Sequence, residues 1–117
     1  MKQEDKDLLL KDLCARLPYN TLISIDGERY RMEEIRNALI GINMYKITID
    51  GCDIEYMDIR PYLFPLSSMT EEQKREYIEL LQIGPATGID WLNANHFDYR
   101  GLIPRGLAND ATGLNVY

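Results

Sequence analysis

One histidine, two cysteines and one tryptophan are all that 117 residues contain of those types. Each scarcity excludes something. A zinc centre needs several Cys and His at close spacing, and Cys14, Cys52 and His96 are too few and too scattered. Two distant thiols suit a reducing compartment, where they act as small hydrophobes instead of a disulfide. Long apolar runs are missing as well. The longest near the start is Leu8-Leu9-Leu10, far short of a membrane span. The opening "MKQEDKDLLLKDLCARL" has no signal-peptide core, so a cytoplasmic location without membrane contact is expected. Runs of Lys and Arg are also absent. Thirteen basic residues stand against 19 acidic ones, for a net charge of −6. That balance disfavours direct nucleic-acid binding, which runs on cations that displace counterions. An acidic surface suits a basic partner or simple solubility. No phosphate-binding loop is present: "GPATG", Gly84 to Gly88, lacks the lysine and the preceding strand. No cofactor and no metal ion is expected.

What remains is a globular composition, 45% hydrophobic and 27% charged. Residues 1–117 read as a single domain, with 106–117 a loosely held tail. The first segment is an amphipathic helix in which Leu10, Leu13, Cys14 and Leu17 follow helical spacing beside Leu9. Asp7 with Lys11, and Asp12 with Arg16, are acid-before-base pairs four apart. Pro18 ends the helix.

Two Asp-Gly turns each predict a hairpin. Around Asp26-Gly27, Ile25 faces Glu28, Ser24 faces Arg29 and Ile23 faces Tyr30; only Leu22 falls on the polar side. Around Asp50-Gly51, Ile49 pairs with Cys52, Thr48 with Asp53, Ile47 with Ile54, Lys46 with Glu55 and Tyr45 with Tyr56. Between the hairpins "EEIRNALIG" fits a short helix, and a strand fits too. Arg60-Pro61 is expected to take the chain off the ladder, leaving "RPYLFPLSSM" as a connector. Thr70 and Gln73 form a capping box that starts a helix, and Gly84-Pro85 breaks it. A last helix, weakly boxed by Thr87 and Asp90, is expected to carry Ile89, Leu92, His96 and Tyr99 on one face. Gly101 would close it in a Schellman motif with Phe97 and Leu102. "HFDYRGLIP" is then a helix end and not a catalytic cluster. The expected fold class is α+β: an N-terminal helix, an antiparallel sheet from the two hairpins, and C-terminal helices packed on one face.

"IRPYLFPLSSMTEEQ" and "IDWLNANHFDYRGLI…GLA" resemble stretches of a family of short uncharacterised proteins from gut bacteria and their phages and mobile elements. The resemblance runs from about Asp58 to Ala108, and "DKDLLLKDLCARLPY" is similar as well. It implies a phage or mobile-element setting and no chemistry.

A hydrolase built on His96 and a cysteine lacks a residue to orient the ring, since Asp98 would lie across the helix. The acids Asp50, Asp53, Glu55 and Asp58, and Glu72, Glu76 and Glu79 on one helix face, read as solvated surface without EF-hand spacing. No catalytic residue is assigned. The balance is against an enzyme and in favour of a small accessory or interaction protein with a protein partner. Its interaction residues are placed at Trp91, His96, Tyr99 and Arg100, because aromatic and Arg side chains favour interfaces. A cryptic enzyme site around His96, Tyr99 and Arg100, and an acidic inhibitor or nucleic-acid mimic, are the competing readings.

Overall fold

A computed structural model describes residues 3–31, 39–40, 48–49, 52–53 and 58–117. The fold is α+β. Helix α1 spans Gln3–Arg16 and runs into a 3-10 turn at Leu17–Tyr19, with Pro18 at its start. Strands β1 (Leu22–Ile25) and β2 (Glu28–Arg31) form the first hairpin with the expected register, Ile23 opposite Tyr30 and Ile25 opposite Glu28. Asp26 and Gly27 both take positive φ, 51° and 88°, as a type I′ turn requires.

The second hairpin keeps its predicted pairs Thr48–Asp53 and Ile49–Cys52, in β4 (Thr48–Ile49) and β5 (Cys52–Asp53). Its further pairs lie outside the described residues. Leu39–Ile40 is strand β3, paired antiparallel with β4, where a helix had been the first expectation. The rest of that segment is likewise outside the described residues. Among the described residues the two hairpins lie in different sheets.

The larger sheet is mixed, and its centre is the supposed connector. Residues Ile59–Pro65 form β6, which pairs antiparallel with β1 and parallel with β7 (Phe97–Asp98) and β8 (Asn109–Asp110). Pro61 does not expel the chain, for a reason of parity. Asp26 N donates to the Asp58 carbonyl at 2.9 Å, and Ser24 stands opposite Arg60. The hydrogen-bonded pairs of this ladder are therefore 26/58 and 24/60. Pro61, opposite Ile23, falls at a non-bonded pair, where a missing N–H costs β1 nothing.

Both faces of β1 are buried. On one, Leu9, Leu10 and Leu13 of α1 meet Ile23, Ile59 and Leu63, closed by Leu102, Leu107 and Ala108. On the other, Leu22 meets Tyr62 and Ala111, with Phe64 and Val116 beside them. Leu22, out of place in a one-sided hairpin, is the centre of this second cluster. The segment expected to hang loosely supplies its cover: Ala111 N donates to the Leu63 carbonyl, and Tyr117 reaches between β1 and β6.

Helix α2 (Glu71–Ile83) starts at the Thr70–Gln73 capping box, both of whose bonds are present. Gly84 then separates it from α3 (Pro85–Ala94), which begins directly at Pro85 with no side-chain cap. The two helices touch closely. A Cβ on Gly88 would come within 2.6 Å of Leu81 Cδ2, so glycine sets their separation. Helix α3 stops at Ala94, well before Gly101. His96 takes the left-handed turn instead, at φ 62°. Phe97 and Asp98 then extend into β7, where Phe97 stands opposite Phe64. The helix end expected over "HFDYRGLIP" is thus a turn, a short strand and a loop. Gly101 has positive φ, 76°, but lies in that loop.

One buried contact ties these parts together. Arg16 and Asp12, both fully buried, are joined at 2.8 Å. Arg16 Nη2 donates to the Phe97 carbonyl at 2.6 Å, and Arg100 Nη1 donates to the other oxygen of Asp12 at 3.0 Å. Removing one member of such a network strands its partners in a dry interior, at a cost of about 3–5 kcal/mol. Asp12→Ala should therefore lower unfolding free energy by about that much, and Asp58→Ala, which breaks an exposed pair with Arg60, by less than about 1 kcal/mol. Urea denaturation of both variants checks the contrast.

Candidate functional site

The residues singled out in the sequence separate into two groups. Tyr99 and Arg100 face α1. The Tyr99 ring lies beside two guanidinium groups, 5.6 Å from Arg16 and 4.5 Å from Arg100. Its hydroxyl donates to Asn93 Oδ1 at 3.0 Å. Arg100 is held by Asp12. Asp98 is buried and accepts from the amides of Leu102 and Ile103, each at 2.9 Å, which anchors the following loop. These polar groups are occupied by the fold.

Trp91 and His96 belong to the other group. Trp91 is half-buried with a ring on each side, Tyr77 at 5.7 Å and Phe97 at 5.6 Å. The row continues through Phe64 to Tyr117, and ends where Tyr117 stacks on His96 at 3.7 Å and 10°. Six rings, the imidazole included, thus form a row from α2 to the only histidine.

His96 borders a recess of about 360 Å³, open to solvent. Its walls are Phe64 of β6, the first turn of α2 at Gln73, the α3–β7 corner at Ala94–Phe97, and Thr112, Gly113 and Tyr117. Tyr99 and Arg100 do not line it. The Nδ1 of His96 lies 3.3 Å from the hydroxyl of buried Thr21. Burial first, then the positive charges of Arg16 and Arg31, push the imidazole down to about 4, so it is neutral at pH 7.

Tyr117 is held by its hydroxyl. Leu22 N donates to it at 2.9 Å, and it donates to the Tyr62 carbonyl at 2.8 Å. In the 26/58, 24/60 register the next bonded pair would be Leu22 with Tyr62, so the phenol stands where the ladder opens. Burial holds this hydroxyl far above its ordinary pKa and keeps it a neutral donor.

Burial raises the Cys14 thiol above its ordinary value, the reverse of an activated nucleophile. Neither a thiol nor a carboxylate forms a hydrogen bond with His96 among the described residues. No group of three His, Cys, Asp or Glu is placed to hold a metal ion among them either. No helix of the described residues is long and apolar enough to cross a membrane. No family model, no curated protein and no solved structure matches the chain.

Residues that sequence reading missed matter most here. Asp12 and Arg16 were read only as an acid-before-base pair four apart, yet 9, 12, 13 and 16 follow the same i, i+3, i+4, i+7 rule as a buried stripe. Thr21 and Tyr117 carried no local signal.

Two outcomes follow. Between pH 6.5 and 4 the unfolded chain protonates His96 and the folded chain resists, so stability falls as pH drops through that window. The loss is about 1–2 kcal/mol after allowance for the partly exposed ring. His96→Asn, which tolerates left-handed backbone, should flatten that component of a pH series of denaturation curves. Tyr117→Phe keeps the stack but leaves buried polar groups of Leu22 and Tyr62 unpaired, costing about 1–3 kcal/mol in thermal or urea unfolding.

Proposed function

We propose that this chain is a small non-enzymatic accessory protein of a phage or mobile element, and that it docks a protein partner on α2. The docking reading rests on α2 itself. It is a capped helix of 13 residues in which no side chain is fully buried and only Gln73, Tyr77 and Leu80 are half-buried. Ile78 is 54% exposed and Ile83 74%. A helix this short is marginal in water on its own, and α2 leans on α3 through Tyr77, Leu81 and Gly88.

The charge pattern describes the partner. Glu72, Glu76, Glu79 and Ile83 recur at i, i+4, i+7 and i+11, an acidic stripe that ends in an exposed isoleucine. Glu71 is the acid neutralised within the helix, by Lys74 at 3.3 Å. A basic surface with an apolar anchor complements this face. The resemblance of residues 58–108 to short phage and mobile-element proteins supports the setting. An enzyme around His96, Tyr99 and Arg100 has less support, because Tyr99 and Arg100 are bound up with Asn93 and Asp12. A nucleic-acid mimic would use the acids but not the isoleucines.

Ile78→Asp combined with Ile83→Asp tests this reading. Both side chains are exposed, so each change should alter stability by no more than about 0.5 kcal/mol. In affinity purification from a bacterial host, the double variant should lose a basic partner that the unaltered chain retains at high salt. Equal retention by both would contradict the α2 dock, and loss of the partner from both at high salt would favour the mimic.

A further inference from the structure

The geometry points to the recess beside His96 as a binding site for an uncharged, planar heteroaromatic group of the nucleobase kind. This site is separate from the α2 docking face and does not depend on it. The recess, of about 360 Å³, is at the small end of the range for ligand pockets, about 300–1,000 Å³.

Three properties of the walls select the ligand. First, Phe64, His96 and Tyr117 border the space with buried Phe97 behind them, and a flat π-system gains from such surroundings. Second, the lining residues carry no ionised side chain at neutral pH, His96 being neutral there. A charged group would lose water without gaining a counterion in the wall, since Arg16 and Arg31, whose charges reach His96, are bonded to Asp12 and to the Val116 carbonyl. Third, the polar ends left over form a complementary set. Gln73 spends Oε1 on the Thr70 amide, which leaves its NH2 as a donor. Asn95 donates one N–H to the Trp91 carbonyl, which leaves its second N–H and Oδ1. His96 faces Thr21 with Nδ1, which leaves Nε2. Ser68 and Thr112 are already bonded to Pro65 and Asp110. Amide N–H groups, an amide oxygen and an imidazole nitrogen match the edge of a base, where donors and acceptors stand side by side. Any sugar or phosphate attached to the base would remain in solvent at the open mouth.

The single histidine makes the test direct, because its ring resonances need no assignment. The full chain is titrated with adenosine, cytidine, indole, benzoate and cyclohexanol up to about 10 mM, and the His96 imidazole signals are followed by NMR. Saturable shifts with a nucleoside, and none with benzoate or cyclohexanol, are expected. Binding of indole in addition would mean that the ring alone suffices, and binding of nucleosides without indole that the hydrogen-bonding edge decides; both support the site. Ala94→Trp and Ser68→Trp place a bulky ring at two exposed lining positions, and should each weaken binding about tenfold or more. Ile78→Asp should leave it unchanged. The proposal is overturned if no nucleoside gives a saturable shift, if benzoate or cyclohexanol binds as well, or if a folded filling variant binds undiminished.

Discussion

The fully buried guanidinium of Arg16 is the constraint on which the rest of the structure depends. It leaves α1 near its C-terminus and reaches the Phe97 carbonyl in β7, 81 residues away. Its companion Asp12 holds Arg100 from the loop that follows. The first helix, the corner after α3 and the loop toward β8 therefore share one polar knot inside an apolar core. Buried ion pairs add little net stability against apolar residues of equal volume, because desolvation offsets the attraction. Their geometry is less replaceable. A planar fork that must meet a carboxylate and a carbonyl together fits one arrangement of helix and strand. The remaining nitrogen, Nη1, has no hydrogen-bond partner among the described residues. The Tyr99 ring beside the guanidinium offers it a cation–π contact.

That knot fixes what can happen on the far side of β7. With the Phe97 carbonyl held toward α1, the Phe97 ring enters the aromatic row and His96 is left at the corner before it. The left-handed backbone at His96 is the local strain that lets a helix turn directly into a strand. Tyr117 then closes the corner by stacking on the imidazole and placing its hydroxyl between β1 and β6. The recess is a by-product of this joint, and α2 stands beside it on the same row of rings. The two candidate binding features, an acidic helix with exposed isoleucines and a neutral recess, thus lie at the two ends of one row of rings.

Local chemistry was legible in the sequence wherever it faced no competitor. Asp26-Gly27 set the type I′ turn and, through it, the whole register of β1 and β2. Thr70 and Gln73 marked the start of α2 to the residue. The α+β class followed from these elements. Long-range partners were not legible. Pro61 argues against a strand until the parity of its partner strand is known. Leu22 looks misplaced until a second layer covers it. The spacing of Ile89, Leu92, His96 and Tyr99 suits a helix, and nothing nearby reveals that Arg16 will draw the Phe97 carbonyl away from a helical bond. Gly101 reinforced the error, since it does adopt the left-handed conformation of a helix stop. A better clue was the run Asn93, Asn95, His96, because Asn and His tolerate positive φ among residues with a side chain. Of the candidate site, His96 and Trp91 were found from composition alone. Gln73 and Tyr117 are brought to the recess, and Thr21 to His96, by tertiary contacts.

Hydrogen exchange at the Arg16 side chain measures the central constraint most directly. If the guanidinium is sealed between Asp12 and the Phe97 carbonyl, its Nε–H should give a resolved NMR signal near neutral pH. That proton should be lost only on global unfolding, like the amides of β1 and β6. A signal exchanging as fast as that of exposed Arg60 would mean an open, hydrated Arg16, and would contradict the organisation of the fold around it.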